Sequence, residues 1–292
     1  MRIIILTTLA MIAFASNSVL ARMALKHTDI DAASFTAIRL ISGALVLLLA
    51  VQISSRPSGG SGSWWSAAAL FAYAAGFSFA YVSLSTATGA LLLFGAVQVT
   101  MVVYGFWMGE RLLKLQLAGL ALAFGGLLLL FLPGLSTTPP LASSLLMLGA
   151  GVCWGVYSLR GRGAGDPVHT SAGNFTRAAA FAVVLSFFML SRLSLDAAGI
   201  WYAIISGALT SGLGYVVWYM VLPMLKATNA AVIQLSVPVI AAVGGVVFLD
   251  ESITLRLVLA SAAILGGIAL VIIQKQPAQV THQNSGKHFN AK

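Results

Sequence analysis

Ten apolar blocks, each close to the roughly 20 residues a helix needs to cross a bilayer, follow one another along this chain with short polar connections between them. They run at about 3–22, 33–54, 64–84, 88–108, 114–132, 142–160, 171–191, 198–222, 228–249 and 254–274. Hydrocarbon contains no water to satisfy backbone amides, so a spanning segment without sheet partners must be helical. Only 8% of residues are charged, against about 25% in soluble domains, and 59% are hydrophobic. So little charge cannot cover a water-facing surface. The expectation is an all-α membrane protein with ten transmembrane helices.

Charge sets the orientation. The net charge of +9 reflects basic residues at segment ends, where they orient helices in a membrane, so it implies a lipid bilayer as partner and no nucleic acid. With the N-terminus in the cytoplasm, eleven Lys and Arg fall inside and four outside, and Arg39 lies within span 2. Both termini are therefore expected in the cytoplasm. The first segment, MRIIILTTLAMIAFASNSVLARMA, has the outline of a signal peptide, but the repeat described next needs it as a retained helix. Single Cys153 excludes an intrachain disulfide. The loops are expected at RPSGGSGS (56–63) and PGLSTTPP (133–140), and residues 275–292 are expected to form a disordered cytoplasmic tail.

The chain repeats itself. TGALLLFGAVQV (88–99) aligns with TNAAVIQLSVPV (228–239), GER (109–111) with DES (250–252), and FGGLLLL (124–130) with LGGIALV (265–271). SFT (34–36) likewise faces NFT (174–176). The units are 1–135 and 140–274. Each holds five spans, an odd number, so the second would enter the membrane upside down. Such inverted repeats are common in secondary transporters.

On these features the chain resembles the drug/metabolite transporter superfamily of the ten-span EamA type, and more narrowly its aromatic amino acid exporters. The carriers of the resemblance are Arg39 in span 2, the GER and LDES turns after spans 4 and 9, and the Gly-Gly pairs of spans 5 and 10. The resemblance implies export of amino acids across the cell inner membrane, through a cavity lined by spans 1, 3, 4, 6, 8 and 9. It implies neither cofactor nor metal, and the protein is not expected to be an enzyme. Monomer and homodimer both stay open.

The residue chemistry narrows the mechanism. All seven carboxylates lie at segment ends or in loops, which argues against a buried-carboxylate relay and against a cationic-drug exporter with a membrane glutamate. No HExxH, paired intramembrane Asp or Ser/His/Asp set is present. Neutral polar and aromatic side chains remain at mid-span: Asn17, Tyr73, Tyr81, Gln98, Trp154, Tyr157, Tyr215, Trp218, Gln234 and Ser236. They are read as substrate-binding, the amides holding an ammonium and carboxylate and the rings an apolar side chain. The alternatives are helix–helix hydrogen bonds for the amides and an interfacial aromatic belt for the rings. The belt reading suits Trp64, Trp65 and Trp201 best. A phosphate-bearing substrate is disfavoured for want of mid-span basic residues.

Gln234 and Pro238 share a face of span 9, and their repeat mates Phe94 and Gln98 share a face of span 4. Both glutamines are therefore expected to line one midplane cavity. Pro238 lacks an N–H and crowds the Gln234 carbonyl, so it is read as a hinge. Arg39, some six residues into its span, is expected to snorkel outward or to pair with Asp29 or Asp31, the alternative being an anchor for a substrate carboxylate. Close helix approach is expected at the pairs Gly151/Gly155, Ala121/Gly125, Ala262/Gly266 and Ala241/Gly245.

Overall fold

A computed structural model of the chain describes residues 1–53, 61–109, 113–129 and 139–273. All its regular elements there are helical: α1 (Arg2–His27), α2 (Ala32–Ile53), α3 (Trp64–Tyr81), α4 (Thr86–Trp107), α5 (Lys114–Leu129), α6 (Leu141–Gly161) and α7 (Pro167–Phe188). The eighth expected span is composite. It joins α8 (Ala197–Ile205), a π-helical stretch (Ser206–Leu213) and α9 (Gly214–Val221). The ninth is split into α10 (Ala227–Gln234) and α11 (Ser236–Leu249), and α12 (Leu255–Ile273) follows.

Every expected span coincides with helix, but by length and apolarity seven of the described helices qualify as membrane-crossing. Of the three that do not, two have local causes. α5 has only 16 described residues. α3 has 18, diluted by two Trp and two Tyr. The expected tail lies outside the described residues, as do Glu110 and Arg111 of the first turn motif and most of the two expected Pro/Gly/Ser loops.

Side-chain caps start several helices by accepting first-turn N–H groups that have no partner within the helix. Asp31 accepts from Ala33 and Ser34 at 2.9 Å each. Ser63 caps α3, Ser85 caps α4, Asp196 caps α8, and Asp166 caps α7 just before Pro167. The ends of α4 and α11 match. Gly109 and Asp250, paired in the repeat alignment, both have left-handed φ, of 84° and 51°. Behind Asp250 the Glu251 N–H closes back on the Gly245 carbonyl at 3.1 Å, satisfying an end carbonyl.

The helix pairings come in mirrored sets. α3 packs on α6 as α1 packs on α8 and α9; α4 packs on α6 as α1 packs on α11. α2 meets α7, α4 meets α10 and α11, and α5 meets α12. The core thus lies between α1, α3, α4, α6 and the composite eighth and ninth spans, with α5 and α12 packed on one another beside it.

Close approach occurs at Gly151, against the Leu93 carbonyl and Ala96, and at Gly155, against Thr100. In α5 and α12 the expected pairs are one residue out of register. Gly125 faces open space and Gly266 meets only Leu122 at 3.6 Å, while their neighbours Gly126 and Gly267 make the tight contacts, on Ala260 and Ala263 and on Gly119 and Ala123. Both members of a Gly-Gly pair look alike in sequence, and the helix rotation chooses between them.

Candidate functional site

Side chains from both halves converge on one dry cluster. Trp154, Trp218, Tyr157 and Tyr215 are all at most 2% exposed, so none of them belongs to an interfacial belt. Trp64, Trp65 and Trp201 are exposed, as belt residues are. Trp154 is the hub. Its ring lies 4.5 Å from Tyr215, 5.1 Å from Tyr73 and 5.2 Å from Phe14, centroid to centroid. Phe14 meets Trp154, Tyr215 and Trp218 edge-on.

The repeat places these partners. Phe14 and Trp154 stand 140 positions apart, the same shift that relates Phe94 to Gln234. Phe14 stacks on Phe94, while Trp154 donates its indole N–H to the Gln234 Oε1 at 2.8 Å. Equivalent positions thus carry a ring pair in one half and an indole–amide pair in the other. The Gln234 amide N–H groups reach the Met101 sulfur and the Ala230 carbonyl, each at 3.2 Å.

A polar network adjoins the rings. Asn17 donates to the Tyr73 hydroxyl at 3.2 Å, and its Oδ1 accepts from Ser206 at 2.6 Å and Thr210 at 3.2 Å. Ser206, Thr210 and Ser211 all lie on the π-helical stretch. Such wide turns are frequent at functional sites, because the extra residue per turn re-aims neighbouring side chains.

Arg39 corrects the sequence reading. Its side chain neither snorkels nor pairs with Asp29 or Asp31, but is buried at 1% exposure. Its Nε donates to Ser211 Oγ at 3.0 Å, and its Nη2 to the hydroxyls of Tyr73 and Tyr215 at 2.9 Å each. Asp31 is occupied with the start of α2 and with the Ser194 N–H. Burial pushes its carboxyl up, but the hydrogen bonds from Ser34, Ser194 and Ala33 outweigh this and hold it below the ordinary value. The inference that mid-span basic residues are lacking fails with Arg39.

Of the ten side chains read as substrate-binding, Asn17, Tyr73, Trp154, Tyr215 and Gln234 meet in this cluster, with Tyr157 and Trp218 at its edge. Tyr157 lies 5.6 Å from Trp154, and the Trp218 indole reaches Ser158 at 3.4 Å. Three stand apart from the network. Tyr81 donates to the Thr86 carbonyl. Ser236, at the start of α11, donates to the Ile233 carbonyl of α10 across the break. Gln98 is buried, and neither amide atom has a hydrogen-bond partner among the described residues, so it takes no part in the network around Gln234. Pro238 is buried, and the helix break falls at Leu235, three residues before it. A proline obstructs the carbonyl four residues back, which here is Gln234, the last residue of α10. Phe14 and the three hydroxyls of the π-helical stretch were not singled out as binding residues from sequence, and Arg39 was so only as the alternative to snorkelling or pairing with Asp29 or Asp31. Phe14 carried a signal, its position 140 residues before Trp154.

The two ends of the molecule differ. At one, hydrogen bonds tie helices together: across the halves Arg160 to Ser63 and Ser66, Arg177 to the Ser61 carbonyl and the Ser63 N–H to Asn174, and within the second half Arg162 to the Leu225 carbonyl. At the other a cavity of about 480 Å³ opens, with Arg22, Lys26, His27, Glu251 and Arg256 in its wall. Across it Glu251 accepts from the Thr86 N–H at 2.9 Å and the Thr86 hydroxyl at 3.1 Å, and pairs with Arg22 Nε at 3.8 Å. Arg22 in turn holds the Tyr81 and Val82 carbonyls at the end of α3.

A sequence model of the EamA-like transporter family matches this chain twice, over residues 1–132 and 141–273. The chain belongs to the EamA-like transporter family. It is a multi-pass membrane protein built from two copies of the family unit. Among known proteins it is similar to the uncharacterized protein PA1977 of Pseudomonas aeruginosa, 57% identical over 93% of this chain and 94% of the other. It is also similar to the uncharacterized transporter YoaV of Bacillus subtilis, 27% identical over 57% of this chain and 60% of that one. A solved crystal structure of a protein superposes with a TM-score of 0.71 over 92% of this chain and 98% of its own, at 19% identity, which speaks of the fold alone.

Proposed function

We infer that this family member is a secondary transporter of the cell inner membrane that exports aromatic and other neutral amino acids by alternating access. The observation that carries this reading is the central cluster. It combines stacked aromatic faces with amide, hydroxyl and guanidinium groups drawn from both halves. Ring faces suit an apolar or aromatic side chain, and the polar groups suit the ionic end of an amino acid.

In this reading ten spans form two inverted five-span units with both termini cytoplasmic. The mirrored helix pairings support a pseudo-two-fold relation between them. The tied end, rich in Arg160, Arg162 and Arg177, then faces the cytoplasm, and the cavity faces outside. Movement of the composite eighth and ninth spans, through the wide turn at 206–213 and the break at Leu235 before Pro238, exchanges which end is open. Buried Arg39 disfavours a cationic drug as cargo, since a fixed positive charge repels it.

The test is counterflow in proteoliposomes of the full-length protein. Accumulation of labelled phenylalanine driven by unlabelled neutral amino acids is expected. A flat response to every amino acid, alongside flux of a nucleoside or a cationic dye, would move the protein to another substrate class.

A further inference from the structure

Arg39 carries a charge that its surroundings do not balance. A guanidinium cannot shed its proton in a protein, and burying it unpaired in a membrane segment is costly. Its contacts are neutral: one serine hydroxyl, two tyrosine hydroxyls, and the ring faces of Tyr73 and Phe77, 5.2 and 4.8 Å from its Cζ. No carboxylate among the described residues pairs with it. The Nη1 group, buried, has no hydrogen-bond partner among the described residues. The repeat offers no second cation, because position 179, 140 residues on, is alanine.

We propose that Arg39 anchors a carboxylate of the transported molecule. Its Nη1 donates to one carboxylate oxygen, and the hydroxyl of Tyr73 or Tyr215 turns to donate to the other. The guanidinium fork matches carboxylate geometry, and hydrogen bonds between charged partners are the strong ones. The rings of Trp154, Tyr215 and Phe14 then receive the apolar body. This inference rests on the transporter reading and narrows it to molecules with one free carboxylate beside an apolar or aromatic group, whether zwitterions or simple acids. Amines and amides of the same shape are excluded.

The experiment uses the full-length protein in detergent and a matched ligand series: 3-phenylpropionate, 3-phenylpropanamide, phenylethylamine, phenylalanine and phenylalaninamide. Binding is read by thermal stabilisation. Each carboxylate is expected to bind about tenfold or more tighter than its amide, the yield of one charge-assisted hydrogen bond. Arg39→Gln should erase that preference, and Arg39→Lys should keep it in weakened form. Equal binding of acid and amide by the wild type, no saturable binding by any carboxylate, or an undiminished preference in Arg39→Gln would overturn the proposal. The wild-type series stands on its own if the variants fail to fold. Flux in proteoliposomes separates the two readings. Carboxylate-selective binding without flux removes the transporter reading and leaves the anchor. Flux with no carboxylate preference removes the anchor and leaves the transporter.

Discussion

The Trp154–Gln234 pair is where the account is most exposed to measurement. Its 2.8 Å bond links α6 to the ninth span, one of the two that the proposed mechanism moves. Gln234→Leu strands the indole N–H, and Trp154→Phe strands the amide oxygen. A buried donor or acceptor left without a partner costs about 1–3 kcal/mol. Interhelical hydrogen bonds in membrane proteins average about 0.6 kcal/mol and reach about 1.7. The upper end applies here, because Gln234 is 0% and Trp154 2% exposed. In the double variant both partners are apolar and nothing is stranded. It should therefore be less destabilised than the sum of the singles by about 1–1.7 kcal/mol. Unfolding by SDS titration in mixed micelles, followed by circular dichroism, gives all four stabilities. Additivity within about 0.3 kcal/mol would refute the bond as an energetic contact.

Three further outcomes follow from other contacts. Glu251→Gln weakens the charge-assisted clamp on Thr86 and Arg22, so amide hydrogen exchange in the first turn of α4 should rise about tenfold, the equivalent of about 1.4 kcal/mol; an unchanged rate would dismiss the clamp. Asp166 behaves like Asp31: burial raises its carboxyl pKa, but hydrogen bonds from His169 and Val168 prevail and hold it below the ordinary 3.8. Its contribution is therefore complete above pH 3.8 and lost as the pH falls through the lower folded-state value, and Asp166→Asn, which keeps the cap, should flatten that acid limb of thermal unfolding. Gly207→Ala drives a methyl group into the Arg39 carbonyl and Ser42 Oγ, and overpacking of this kind costs about 1–3 kcal/mol, visible as a lower unfolding midpoint; wild-type stability would show that α2 and the π-helical stretch can separate.

Much of the fold was legible because the bilayer leaves few choices. Apolar blocks, an odd-numbered repeat and matched turn motifs define segment positions without any side-chain detail. Gly109 and Asp250 illustrate this, since a shared left-handed turn ties two dissimilar residues together. The central cluster was legible in part. Trp154, Tyr215 and Gln234 could be picked out of the sequence because aromatic and amide groups at mid-span need a partner. Arg39 was misread because snorkelling considers one helix against lipid, whereas its partners Ser211 and Tyr215 lie more than 170 residues away in sequence. The π-helical stretch has no sequence signature in SGALTSGL; what marks it is tertiary, its packing against α1 and α2. Gln98 shows the limit of repeat logic. Equivalent positions share an environment only while their neighbours do, and the neighbours differ.

The most direct test of the central claim is a substrate panel in proteoliposomes of the full-length protein, run with and without a pH gradient. The account predicts saturable counterflow of aromatic and neutral amino acids, diminished in Gln234→Leu and in Trp154→Ala. No amino acid flux in either condition, or wild-type flux and affinity in both variants, would contradict it.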